Sequence, residues 1–99
     1  MQKVVIVTGG GRGIGASTAI LLASKGYRVC VNYRKDHGAA NSVVADIVAK
    51  GGSAMAFQAN ASIESEVEAM FSAVNQELGQ VTHLVNNAGV LFTQSRLAD

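Results

Sequence analysis

Apolar residues fall along this chain in two alternating kinds of run, one short and continuous, the other longer and periodic. Residues 3–8 hold an unbroken β-branched stretch without the polar alternation of a half-exposed strand, so they read as a strand covered on both faces of a parallel sheet. A glycine cluster ends it. Beyond the cluster, Ala16, Ala19, Ile20, Leu22 and Ala23 predict a helix over 14–25, stopped by Gly26. Residues 28–33 are strand-like around Val29, Cys30 and Val31. The next helix, 38–50, carries Ala40, Val43, Val44, Ile47 and Val48 in an i, i+3, i+4, i+7, i+8 stripe, with Asp36 as N-cap and Gly51 and Gly52 past its end. A third unit places a strand at 53–58. Ile63, Val67, Met70, Phe71, Val74 and Leu78 form the following helical stripe, with Ser62 as cap, Glu64 and Glu66 near the positive end of the dipole, and Gly79 as stop. Residues 81–86 predict a fourth strand around Leu84 and Val85, after which no clear period continues.

Strands alternating with helices of this length imply right-handed βαβ crossovers, hence an α/β fold with an open, doubly wound parallel sheet of order 3-2-1-4. The absence of proline, linkers and low-complexity segments argues for a single unit within the 99 residues. Content that is 48% hydrophobic and 15% charged excludes a disordered chain. Eight basic and seven acidic residues, spread evenly, leave a net charge of +1 and no basic stripe for nucleic acid or a membrane surface. A lone cysteine, Cys30, forms no internal disulfide and no multi-cysteine metal site, and suits a reducing compartment. The longest uncharged stretch, 13–24, is too short to span a bilayer, and no signal-peptide core precedes it. The expected location is the cytoplasm.

Between the first strand and its helix stands Thr8-Gly9-Gly10-Gly11-Arg12-Gly13-Ile14-Gly15. At such a turn, backbone amides and the helix dipole can receive a dinucleotide diphosphate, while missing side chains allow a tight bend, a positive φ and close approach of the ligand. Gly9, Gly13 and Gly15 are expected to carry those tasks, with Gly11 and Ile14 beside them. A merely flexible turn is the competing reading, since glycine is common in loops. A triphosphate-binding loop is excluded because Ala16 follows Gly15 where a Lys-Ser/Thr ending would be needed. Thr8-Gly9-x-x-x-Gly13-x-Gly15, together with Asn86-Asn87-Ala88-Gly89 after the fourth strand, resembles the short-chain dehydrogenase/reductase family. The resemblance covers about 4–93 and implies the N-terminal part of a Rossmann-type oxidoreductase using NAD(H) or NADP(H), similar to bacterial 3-oxoacyl-carrier-protein reductases and glucose dehydrogenase-like enzymes.

In NAD-specific folds of this kind, an acid at the end of the second strand holds the adenosine ribose and repels a 2′-phosphate. Here that corner reads Asn32-Tyr33-Arg34-Lys35. Arg34 offers a charge-assisted contact to a phosphate dianion and Lys35 adds field, so NADP(H) is the preferred cofactor and NAD(H) the alternative. Arg12 is placed to approach the same phosphate, and the resemblance supports it; a solvated surface charge is the competing fate of either arginine. Asp36, the nearest acid, is read as a helix cap. Tyr33 belongs to the same corner. Asn60 falls where the family often has an aspartate bonded to the adenine, and Asn can still accept through its carbonyl. By resemblance, Asn87, Ala88 and Gly89 line the adenosine and ribose side, with Asn86 stabilising the sheet end. His83 and His37 are read as structural.

The acid–base residues that the resemblance implies, a serine and a Tyr-x-x-x-Lys, are not in this chain: Tyr27 is followed four places on by Val31, and Tyr33 by His37. Hence no catalytic residue is assigned here, and the 99 residues are expected to be the cofactor-binding portion of a longer enzyme. The fourth strand would be an open edge in such a portion. The expected function is reduction of a carbonyl, or oxidation of an alcohol, by hydride transfer, in a protein that the resemblance implies is a homotetramer or dimer. The alternative is a non-catalytic dinucleotide-binding module or redox sensor.

Overall fold

The computed structural model describes residues 3–87. Four strands and three helices alternate: β1 (Val4–Thr8), α1 (Gly13–Ser24), β2 (Arg28–Tyr33), α2 (His37–Ala49), β3 (Ser53–Gln58), α3 (Glu64–Glu77) and β4 (His83–Asn86). The sheet is wholly parallel in the order β3-β2-β1-β4, the expected Rossmann-type α/β arrangement. Its register sets Ile6 beside Cys30 on one side and Leu84 on the other, and Cys30 beside Met55.

Every residue of β1 is buried because helices cover both faces. Alternate side chains point opposite ways along a strand, so Val5, Val7, Val29 and Val31 join Ala19 of α1 and Ala40, Val43 and Ile47 of α2. Val4, Ile6 and Cys30 instead meet Met70 and Val74 of α3 and the adjoining Leu78. Cys30 is part of this second layer. Burial pushes its thiol from 9.0 up to about 12, which keeps it protonated and makes it packing material rather than a nucleophile. The outer strands are less covered: Leu84 and Val85 are half-buried, and among the described residues β4 pairs with β1 alone.

The departures from expectation are local. α1 begins at Gly13, one residue early, and β4 begins at His83, because Thr82 is spent tying the chain to β1: its Oγ1 accepts from Val4 N at 2.9 Å and donates to Val4 O at 3.1 Å. Val48 is 53% exposed. The buried face of α2 is Ala40, Val43 and Ile47, with Val44 packed beside it, so Val48 falls past the rim of that stripe. Ser62 does not cap α3. The N-cap is Ile63, without a side-chain cap bond, while Ser62 donates its hydroxyl to Asn60 Oδ1 at 2.7 Å. Glu66 reaches back from the first turn to accept the Asn60 amide at 2.7 Å, which fastens the β3–α3 connection by another route. Asp36 caps α2 as expected, accepting from Ala39 N at 2.9 Å.

Candidate functional site

The order β3-β2-β1-β4 means that the chain steps outward one way from β1 and then crosses to the other side, opening a crevice at the carboxyl ends of β1 and β4. The glycine turn lies there. Gly9 and Gly13 have φ of 62° and 56°, conformations that favour glycine. Gly15 meets a different demand: a Cβ on it would collide with Gly9 O and lie 2.6 Å from Asn87 Nδ2. Gly11 backs onto α2, where its Cβ would stand 3.2 Å from Ala40 N. Gly10 is buried, and its Cβ would be 2.9 Å from Val7 O.

Neighbouring strands hold the turn from both sides. Asn32 is 3% exposed at the end of β2; its Nδ2 donates to Ala59 O at 3.1 Å and Phe57 O at 3.3 Å, and its Oδ1 accepts the Gly9 amide at 3.4 Å. Its carbonyl takes the Gly10 amide at 3.0 Å. From β4, Asn86 Oδ1 accepts the Thr8 hydroxyl at 3.1 Å, and Asn87 Nδ2 donates to Gly9 O at 3.1 Å. These bonds fix the Gly9 and Gly10 amides and the Gly9 carbonyl while leaving the start of α1 open. Arg12, the N-cap residue, is extended, gives its carbonyl to Ala16 N at 3.2 Å and supplies no side-chain cap. Ile14 is 79% exposed. A helix start without a capping side chain leaves first-turn amides and the positive dipole end available to an anion.

One cleft continues from the turn, and a second shares Arg34 and Asn60 with it. The first, of about 230 Å³, runs past Gly9, Asn32, Arg34, Asn60 and Ser62. The other, of about 490 Å³, is lined by Arg34, Lys35, Phe57, Gln58, Asn60 and Glu66. Arg34 and Asn60 therefore stand together on both, as separate loops after β2 and β3. Among the described residues no carboxylate lies within ion-pair distance of Arg34 or Lys35. Asn60 Oδ1 is occupied by Ser62, through its amide at 3.0 Å and its hydroxyl.

Two expected residues sit elsewhere. Arg12 reaches across to Asp36, 3.4 Å away, and lines neither cleft. Tyr33 packs on the α1/α2 side, its ring edge-on to His37 and its hydroxyl 3.3 Å from His37 Nδ1. Asn87 adjoins the turn, whereas Ala88 and Gly89 lie outside the described residues. Asn32 was visible in the sequence only as part of a corner lacking an acid. The signal for its anchoring role is a polar residue directly after the buried apolar run 29–31.

The model of the family described as "short chain dehydrogenase" matches residues 3–99. The chain is 50% identical over 93 residues to the uncharacterized oxidoreductase YgfF of Escherichia coli, covering 94% of this chain and 38% of that protein. It is 44% identical to the 3-oxoacyl-[acyl-carrier-protein] reductase of Synechocystis, over 89% of this chain and 36% of the relative. Among solved structures, a short chain dehydrogenase from Mycobacterium avium superposes with a TM-score of 0.81 at 37% identity, over 93% of this chain and 35% of the other. A dehydrogenase/reductase from Sinorhizobium meliloti gives 0.83 at 36% identity, over 86% and 34%. The chain thus spans less than two-fifths of the length of the relatives it matches.

Proposed function

This chain belongs to the short-chain dehydrogenase family, and on that premise we propose that residues 1–99 are the cofactor-binding N-terminal part of a Rossmann domain in an NADP(H)-dependent oxidoreductase. The observation that carries the reading is the start of α1, uncapped by any side chain and set against a turn too tight at Gly15 for a Cβ. The amides of Gly13, Ile14 and Gly15 would hold the cofactor's diphosphate there, with Gly9 and Gly11 shaping the approach. Asn60 and the Asn87-Ala88-Gly89 segment would flank the adenosine.

Arg34 is the residue assigned to the ribose 2′-phosphate, because it lines both clefts and, among the described residues, has no carboxylate within ion-pair distance. Lys35 adds positive field, and Arg12 can reach the phosphate once released from Asp36. When bound, the cofactor supplies the hydride exchanged with a carbonyl or alcohol. This chain binds and orients it; the acid–base residues belong to parts of the protein beyond these 99 residues. The same reading places the complete protein in the cytoplasm as a homodimer or homotetramer acting on a small molecule. The even spread of charge leaves no basic stripe for nucleic acid, and among the described residues no helix is long and apolar enough to cross a membrane.

Titration of the protein with NADPH and NADH tests the assignment. The expected result is tighter binding of NADPH, with Arg34→Ala weakening NADPH by about ten-fold or more, the scale of one charge-assisted bond, and sparing NADH. Equal affinities before substitution, or equal losses after it, would refute the choice of cofactor.

A further inference from the structure

Arg12 and Asp36 come from the N-terminal ends of α1 and α2, two helix starts whose junction is fixed by backbone. A Cβ on Gly11 would lie 3.2 Å from Ala40 N, so the glycine turn rests directly on the first turn of α2. Across that junction Arg12 Nη1 donates to Asp36 Oδ2 at 3.4 Å. The other oxygen of the same carboxylate, Oδ1, accepts the Ala39 amide at 2.9 Å and caps α2. One oxygen is therefore committed to the helix and the other to the guanidinium. The side chains are 76% and 49% exposed, which makes the pair weak and readily exchanged for another anion.

We infer that Asp36 is a specificity-determining residue that competes with a ribose 2′-phosphate for the Arg12 guanidinium. The inference rests on the NADP(H) reading above. A phosphate dianion offers Arg12 more charge and more acceptor oxygens than the carboxylate does, so the ligand displaces Asp36 from Arg12 while Asp36 keeps its hold on Ala39 N. Until then part of the corner's positive charge is neutralised from within. That neutralisation lowers the preference for the phosphorylated cofactor below what Arg12 and Arg34 would give together, leaving a graded choice between NADP(H) and NAD(H).

Asp36→Asn separates the two jobs of the carboxylate, because the amide oxygen can still cap α2 while its NH₂ faces the guanidinium and cannot hold it. Asp36→Ser, another capping residue without charge, serves as the second variant. Affinities for adenosine 2′,5′-bisphosphate and for AMP, which differ only in the 2′-phosphate, are measured at low ionic strength. Both substitutions are expected to tighten the bisphosphate about two- to five-fold, the range of an exposed ion pair, to leave AMP unchanged, and to lose that gain when combined with Arg12→Ala. An unchanged ratio of the two affinities, or a gain that survives Arg12→Ala, overturns the inference while leaving the NADP(H) reading intact. Wild-type protein that binds the two nucleotides equally defeats that reading, and this inference with it.

Discussion

Five glycines from Gly9 to Gly15 look interchangeable on paper, yet they are glycine for different reasons. Gly9 and Gly13 need a positive φ, and nothing lies within 4 Å of where a Cβ on Gly13 would be. Gly15 is helical, and its constraint is space alone, set by Gly9 O and Asn87 Nδ2. The sequence could show that the turn was tight but not which neighbour crowds which glycine, since Asn87 lies far along the chain. The difference is measurable. Gly15→Ala is expected to lower unfolding free energy by about 1–3 kcal/mol through overpacking and to weaken NADPH binding, read by denaturant titration and by calorimetry. Stability equal to wild type would mean that the Gly15 contact yields easily and that the turn is not held as described.

At the level of elements, periodicity carried most of the information. The 3.6-residue stripes located α2 and α3, and the unbroken apolar run of β1 correctly implied cover on both faces. What periodicity missed are bonds between elements. Ser62 looked like a cap from its position, but its hydroxyl goes to Asn60, and Glu66 ties the Asn60 amide back to the first turn of α3. Asn32 looked like one residue of a corner, yet it joins β2 to Phe57 of β3, to Ala59 just past it and to the glycine turn. Removing its side chain leaves buried polar groups unpaired, at about 1–3 kcal/mol for each. Asn32→Val is accordingly expected to destabilise the protein by at least that amount and to speed hydrogen exchange at the Gly9 amide. Unaltered exchange there would show that Asn32 does not anchor the turn.

For the molecule as a whole, the sheet order places Gly9, Asn32, Arg34 and Asn60, from three separate stretches of chain, along one cleft. That convergence was legible because the βαβ units dictate which loops gather at the carboxyl ends of the strands. It was incomplete because side-chain reach is not encoded in topology: Arg12 turned to Asp36, and Tyr33 to His37. The central claim concerns the start of α1. In ¹⁵N-labelled protein titrated with NADPH, the largest amide shift changes are expected at Gly11, Gly13, Ile14 and Gly15, saturating with the same affinity as the calorimetric binding. Saturable NADPH binding that leaves these four amides unmoved would contradict the account.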